Sequence, residues 1–335
     1  MVSSLKNKSI LVTGGTGSFG ERCIGFLFKK YKPKKIVVFS RDELKQYELS
    51  KKYGETEYPI RYFIGDIRDK SRLYRACSNI DFIVHAAAMK RVTAAEYNPN
   101  ECIETNVIGA QNLIDAAIDN NVKKVIALST DKAANPVNLY GATKLCSDKL
   151  FVSANNLVGE KHTRFSVVRY GNVISSRGSV IPFFKELIKN GVKKLPVTDK
   201  NMTRFVITLE QGVNFVIQEL LNFAGGEIFV PKLPSIKITD LVEAMFKKNQ
   251  YDIIGIRPGE KLHEVMIPKE EARNCIDIGN KYIIVPRLSW WNRKNLDQKI
   301  RKLGKTVPVD FEYVSNRNKD WLSVNQLKKI VYQND

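Results

Sequence analysis

Thr13-Gly14-Gly15-Thr16-Gly17-Ser18-Phe19-Gly20 is the stretch on which the reading of the fold turns. It follows a short apolar run, Ser9–Thr13, and precedes a helical pattern, Glu21–Tyr31. Its three spaced glycines have separate uses. Gly14 permits a tight turn, Gly17 lets phosphates approach the backbone, and Gly20 lets helix and strand pack closely. The free N–H groups and positive dipole end of the helix then face the phosphates. A glycine-rich turn alone is a weak signal. Between a strand and a helix, at the head of a βαβ unit, it reads as a dinucleotide cradle.

The alternation continues outward from that turn. Strand-like runs at Lys35–Ser40, Arg61–Ile64, Phe82–Ala86, Lys124–Ser129 and Phe165–Arg169 are separated by helical patterns. These are Asp42–Tyr53, Lys70–Cys77, a stretch running through Ala117, and Tyr140–Asn155. Such alternation predicts right-handed βαβ units. The expected fold is α/β, a Rossmann-type doubly wound parallel sheet with a smaller C-terminal substrate-binding lobe. After Asn172 prolines and basic loops interrupt the pattern. The expected division gives 1–172 to the dinucleotide-binding domain, with 205–229 returning to it as helix Leu209–Phe223 and strand Glu227–Phe229. Segments 173–204 and 230–335 make the lobe. Ligands of open α/β sheets bind outside the carboxyl ends of the strands, so the lobe would cover that end.

Composition narrows the function classes. The 335 residues are 43% hydrophobic and carry a net charge of +19. That charge suits nucleic acid, an anionic membrane surface or an anionic small molecule. The basic residues are spread along the chain, and the densest run, Lys29–Lys35, reads as a solvated loop. With no RNP motif, zinc finger or basic helix, no nucleic-acid partner is expected. Apolar runs such as Ile36–Phe39 and Phe82–Val84 are too short to span a bilayer, and MVSSLKNKSI lacks the apolar core of a signal peptide. The expectation is a cytoplasmic protein with no membrane partner. Cys23, Cys77, Cys102, Cys146 and Cys275 form no CxxC pair, and His85, His162 and His263 are scattered. No disulfide framework and no metal are expected, and the histidines read as packing or surface residues.

Two further motifs carry chemistry. An NAD site usually places an acid at the tip of the second strand. Here the tip is Ser40-Arg41, with Lys45 one turn later, which suits the 2′-phosphate of NADP, while Asp42 also suits a helix cap. Asp66-Ile67 sits where an adenine is contacted, or forms a plain turn. The sharper motif is Ser129-Thr130-Asp131-Lys132 at the end of the fifth strand, followed by Tyr140 and Lys144. Tyr140 and Lys144 are one helical turn apart and share a face. The Lys144 ammonium is expected to lower the tyrosine pKa and to hold the nicotinamide ribose. Lys132 is either catalytic or a surface lysine at a loop edge. Arg257-Pro258-Gly259-Glu260-Lys261 reads as a diphosphate contact or as an exposed turn. Trp290-Trp291 reads as packing, an oligomer contact or nucleotide stacking.

These residues resemble the extended branch of the short-chain dehydrogenase/reductase superfamily. Asp131–Phe151, Met202-Thr203-Arg204, Gly226–Pro231 and Ile256–Pro268 further resemble the inverting UDP-N-acetylglucosamine 4,6-dehydratases of the pseudaminic acid pathway. The likeness runs from Lys8 to about Val324. It implies a lyase with Asp131, Lys132 and Tyr140 as catalytic residues. It implies NADP as cofactor, contacted by Thr16, Ser18, Phe19, Ser40, Arg41, Asp42, Glu43, Leu44, Lys45, Asp66, Ile67, Ala86, Tyr140 and Lys144, with Gly14, Gly17 and Gly20 shaping the turn. Lys90, Asn172, Thr198, Met202, Arg204, Arg257 and Glu260 would hold the substrate, UDP-N-acetylglucosamine. The implied product is UDP-2-acetamido-2,6-dideoxy-β-L-arabino-hex-4-ulose, the first step toward pseudaminic acid and flagellin glycosylation. A homo-oligomer is implied, with a hexamer as the candidate size. One departure is Arg91, where the family pattern has histidine.

The chemistry agrees with the residues present. The C5 proton of a hexose becomes acidic once C4 is a ketone. Tyr140 would take the C4 hydroxyl proton as hydride leaves for NADP⁺. A base must then take the C5 proton and an acid must protonate the C6 hydroxyl, and Lys132 and Asp131 are free for those tasks. A lysine base needs a lowered pKa, expected here from burial and the charge of Lys144. The competing readings are a UDP-sugar 4-epimerase or retaining dehydratase, a dehydratase/epimerase acting on the same UDP-sugar for another aminodeoxysugar, and a non-catalytic NADP-binding or nucleic-acid-binding module.

Overall fold

Strands Ser9–Thr13, Lys35–Ser40, Ile60–Ile64, Phe82–His85, Lys124–Thr130 and Arg164–Tyr170 pair in parallel. The structure, a computed structural model, describes residues 4–174, 176–286 and 294–332. Across the sheet these strands run third, second, first, fourth, fifth, sixth. Winding therefore reverses between the first and the fourth, where Thr13 pairs with His85. That reversal opens a crevice beyond the carboxyl ends. SILVT and FIVH are buried at every position, which is why they read as unbroken apolar runs rather than alternating ones.

The helices between the strands fall close to expectation, at Ser18–Lys30, Glu43–Lys52, Lys70–Ala76 and Leu139–Ser153. The stretch expected to be helical through Ala117 is instead segmented. Helices Val92–Tyr97 and Pro99–Ile103 lead into a π turn, Glu104–Ile108, and then helix Gly109–Asp119. Pro99 breaks the run, because its ring and missing N–H are tolerated only at a helix start. Within the π turn, buried Asn106 accepts from the Met89 amide at 2.8 Å and donates to the Met89 carbonyl at 2.9 Å and Thr143 Oγ1 at 3.0 Å. It thus fastens the loop before Lys90 to the helix that carries Tyr140.

The sheet continues past its sixth strand. Ile228–Pro231 adds in parallel, and Lys281–Ile284, Cys275–Asp277 and Lys305–Thr306 add antiparallel, giving ten strands among the described residues. The expected division gave all of 230–335 to the lobe. Residues 275–284 and 305–306 instead pair onto the main sheet, because Ile276, Ile283 and Ile284 bury themselves in its core. A second apolar cluster gathers Ile181 and Phe184 of helix Val180–Lys189, Leu241 and Val242 of helix Ile238–Met245, and Leu327 and Val331 of helix Val324–Tyr332. Trp290-Trp291 lies outside the described residues. Among the described residues no helix is long and apolar enough to cross a membrane, and no group of acidic, histidine or cysteine side chains is set to hold a metal.

Candidate active site

A cleft of about 1220 Å³ opens between the carboxyl ends of the parallel strands and the second apolar cluster. Its floor at one end is the glycine turn. Gly14 has φ +66°, and a Cβ there would sit 2.8 Å from the Ala87 amide nitrogen. A Cβ at Gly20 would meet the Gly14 carbonyl oxygen at 2.5 Å. Gly17 is the N-cap of Ser18–Lys30 and offers no side chain to it, so the first-turn N–H groups are left for a ligand. Thr16, Ser18, Phe19, Ile67 and Ala86 line the same end. The residues present thus fit a dinucleotide: a cradle with no room for a side chain beneath an uncapped helix start.

The tip of the second strand adds charge. Ser40, Arg41, Asp42 and Lys45 line the cleft. Asp42 caps Glu43–Lys52 by accepting from the Lys45 amide at 3.0 Å, and its other oxygen pairs with the Lys45 ammonium. Arg41 is exposed and rests 3.4 Å from Asp66. Three expected cofactor residues do not face the cleft. Glu43 and Leu44 sit on the exposed side of the first helical turn. Asp66 is spent on its own turn, accepting from the Arg68 amide at 2.9 Å and the Arg68 guanidinium at 2.7 Å. His85 is a packing residue: burial and the Lys144 charge push its pKa down to about 3, and Thr13 Oγ1 lies 2.8 Å from its Nδ1.

At the other end of the floor the fifth strand ends at Thr130 and the chain makes a single 3₁₀ turn, Asp131–Ala133. Asp131 is completely buried. It accepts from Thr130 Oγ1 at 2.9 Å, Lys132 Nζ at 3.0 Å and Asn172 Nδ2 at 3.4 Å. Lys132 Nζ also lies 3.2 Å from Oε1 of Glu264, a carboxylate almost wholly withdrawn from solvent. Tyr140 and Lys144 share the buried face of Leu139–Ser153, whose start Asn138 caps by accepting from the Gly141 amide at 2.8 Å. A side chain at Gly141 would collide with the Lys132 carbonyl, so this glycine lets the Tyr140 helix approach the Asp-Lys turn.

The electrostatics correct two expectations. Burial raises the Tyr140 phenol to about 12, and the charge opposing that rise comes from Lys132, helped by the Thr130 hydroxyl. Lys144, expected to lower the tyrosine, is itself pulled down by burial and held up by Asp148. Lys132 was expected to have a lowered pKa. Burial does favour its neutral form, but the Asp131 and Glu264 carboxylates on either side win, and it is held above the usual lysine range. Burial and Glu264 together raise Asp131. The resting state is an ammonium between two carboxylates, of which Asp131 is the readier to accept a proton.

All the expected substrate residues line this one cleft: Lys90, Asn172, Thr198, Met202, Arg204, Arg257 and Glu260. Lys90 Nζ donates to the Arg177 carbonyl at 3.1 Å, and burial lowers its pKa. Arg204 donates to the Leu262 carbonyl at 3.1 Å and lies 3.5 Å from Glu264. Arg257 and Glu260 pair at 3.5 Å, and Glu260 Oε2 is buried without a hydrogen-bond partner among the described residues. Their turn is tied to the cap of the catalytic helix by Asn138 Nδ2, 2.7 Å from the Gly259 carbonyl, and to the end of the Asp131–Ala133 turn by Lys261 Nζ, 2.6 Å from the Ala134 carbonyl. Arg91 lines the cleft too, with its guanidinium against Gly178. Sequence reasoning missed Glu264, Asn138 and Arg177, whose guanidinium reaches the Thr16 carbonyl at 3.3 Å. Glu264 lies inside the quoted Ile256–Pro268 stretch, but no local spacing connects it to Lys132.

Comparison with known proteins follows the same lines. A family described as "Polysaccharide biosynthesis protein" matches residues 10–286. A protein of Campylobacter jejuni named UDP-N-acetylglucosamine 4,6-dehydratase (inverting) is 55% identical over 327 residues, covering 97% of each chain. A UDP-glucose 4-epimerase of Rickettsia akari is 39% identical over 333 residues, covering 97% of this chain and 95% of that one. The solved structure of Pen from Bacillus thuringiensis is 38% identical, with a TM-score of 0.88 over 99% of this chain and 98% of the other. DesIV, a dTDP-glucose 4,6-dehydratase from Streptomyces venezuelae with NAD bound, superposes with a TM-score of 0.68 at 22% identity, over 76% of this chain and 86% of that one, and shows the shared fold.

Proposed function

The chain belongs to the polysaccharide biosynthesis protein family, and we propose that within it the chain is an NADP-dependent, C5-inverting UDP-N-acetylglucosamine 4,6-dehydratase. The observation that carries this reading is the pairing of buried Asp131 with half-buried Lys132 at 3.0 Å, in one cleft with Tyr140 and Lys144. NADP rather than NAD is favoured by Arg41 at the tip of the second strand, the place where an acidic residue would select NAD, and by Lys45 in the first turn of the helix that follows. When bound, the nicotinamide would supply a hydride acceptor for C4 and a hydride donor for C6.

The protein's own groups move the protons. Tyr140 acts as the phenolate, which the Lys132 charge favours against burial; it takes the proton of the C4 hydroxyl and becomes the phenol. The proton that Lys132 must lose is the one that Asp131 must give. It passes along their hydrogen bond, leaving a neutral amine and a protonated carboxyl. Lys132 then takes the C5 proton, the C5–H electrons form the C5–C6 double bond, and the C6 hydroxyl departs as water with the Asp131 proton. Hydride addition at C6 of the enone would leave an enolate, and a solvent-derived proton taken up at C5 from the face opposite Lys132 gives the L-arabino 4-keto sugar, UDP-2-acetamido-2,6-dideoxy-β-L-arabino-hex-4-ulose. Lys90, Arg204 and Arg257 supply positive charge for the UDP diphosphate. In this reading the enzyme is cytoplasmic and homo-oligomeric, opens the route to pseudaminic acid, and divides into a dinucleotide domain and a substrate lobe.

The Rickettsia relatives named UDP-glucose 4-epimerase set the alternative. An epimerisation at C4 needs only Tyr140 and Lys144, and leaves Lys132 and the buried carboxylates of Asp131 and Glu264 without a task. The test is the product: NMR of UDP-N-acetylglucosamine incubated with purified enzyme, with no cofactor added. A 4-keto-6-deoxy sugar supports the dehydratase, and a C4 epimer with its C6 hydroxyl intact overturns it.

A further inference from the structure

The cluster holds one carboxylate that the proposed reaction does not use. Glu264 is almost wholly buried, its Oε1 lies 3.2 Å from Lys132 Nζ and 3.5 Å from Arg204 Nε, and its Oε2 has no hydrogen-bond partner among the described residues. Withdrawing a carboxylate from water and leaving one oxygen unpaired is costly, so the charge is present for its neighbours. Its backbone is also pinned. The Glu264 amide donates to Ser315 Oγ at 2.9 Å, and the Ser315 amide donates back to the Glu264 carbonyl at 2.9 Å. Strand Val265–Ile267, which follows, pairs antiparallel with Tyr313–Val314. A distant segment of the chain therefore fixes this carboxylate beneath the Lys132 turn.

We propose that Glu264 is a positioning residue for Lys132: opposite Asp131, it clamps the ammonium from its second side and sets how many protons the Asp131–Lys132 pair carries. This inference rests on the acid–base roles proposed above. The pair works with one proton between its two members. A second proton at low pH removes the base, and loss of the last proton at high pH removes the acid. A fixed negative charge beside the pair makes both protons harder to lose, so it places both limbs of the activity profile at higher pH.

The other groups facing this point do not cancel the effect. Arg204 from Thr203–Ile207 and Lys261 from the 257–261 turn face Glu264, which is brought below the usual carboxylate range by Lys132, Arg204 and Lys261 despite its burial. Tyr140 faces Lys132 from the catalytic helix. Arg169 bears on Lys261 from the sixth strand, and His263 lies against Arg204. All the cations in this ring gain influence once the Glu264 charge is removed, and each acts to lower both limbs.

The experiment is the pH profile of kcat/KM for UDP-N-acetylglucosamine, with Glu264→Gln against the unaltered protein. Glutamine keeps the shape and removes the charge. Both limbs are expected to move to lower pH by about one pH unit or more. A profile that falls in height with both limbs in place assigns Glu264 a merely structural role and overturns the proposal, as does movement to higher pH. Thermal melting checks that the variant is folded. Where E264Q fails to fold, Glu264→Asp carries the test: its retracted carboxylate should move both limbs the same way by less, and unmoved limbs overturn the proposal. The two readings fail separately. An unaltered protein that does not dehydrate UDP-N-acetylglucosamine takes down the proposed function and this inference with it. Turnover with unshifted limbs in the variant takes down the role of Glu264 alone.

Discussion

Replacing Lys132 with glutamine removes the one cation that, among the described residues, lies within ion-pair distance of both buried carboxylates. Asp131 and Glu264 keep 1% and 2% of their side-chain surface exposed, and Lys132 Nζ lies 3.0 and 3.2 Å from them. Removing one partner of a buried ion pair costs about 3–5 kcal/mol, because the remaining charge is stranded. Arg204, 3.5 Å from Glu264, and Lys261 still face the cluster, so the lower end is expected. With roughly 2.1 cal/mol/K of unfolding entropy per residue over 335 residues, 3–5 kcal/mol lowers the melting temperature by about 4–7 °C. The pH dependence has a definite sign. In the variant the two carboxylates, desolvated and repelling each other, have folded pKa values above their unfolded ones. That penalty is present at neutral pH and vanishes as pH falls below the ordinary carboxylate range. The assay is thermal melting of both proteins between pH 4.5 and about 8, paired with turnover. Turnover should fall by at least about 10²-fold, as a general base is lost. A variant as stable as its parent at neutral pH, or one destabilised equally at every pH, would refute the clamped ammonium.

Two further outcomes follow from the cleft. Tyr140→Phe keeps the ring and loses the group that takes the C4 proton, so kcat should fall by about 10²-fold or more with UDP affinity unchanged by calorimetry. Near-normal turnover would move that base elsewhere. Arg41→Ala should weaken NADP binding more than NAD binding in a fluorescence titration, since only NADP presents a phosphate to that side chain. Equal losses would show that Arg41 does not read the 2′-phosphate.

What the sequence disclosed was what depends on near neighbours. The glycine turn, the strand tip at Ser40-Arg41 and the one-turn spacing of Tyr140 and Lys144 are each set within a few residues. Their places in the cleft follow from the parallel sheet that the strand–helix alternation implies. Even there, side-chain direction was hidden: Glu43 and Leu44 lie within the right segment yet face solvent. The protonation state of Lys132 was not legible, because it depends on Glu264, delivered through the pairing of Val265–Ile267 with Tyr313–Val314. The extension of the sheet by Cys275–Asp277 and Lys281–Ile284 was equally hidden. Those strands are three and four residues long, too short for a periodic pattern to stand out.

The central claim is that the Asp131–Lys132 pair eliminates water across C5 and C6 and that C5 returns inverted. Its most direct test is proton NMR of the product formed from UDP-N-acetylglucosamine in D₂O. The account predicts solvent deuterium at C5 and the ring couplings of the L-arabino 4-keto sugar. A product that retains the D-xylo configuration at C5 would contradict it.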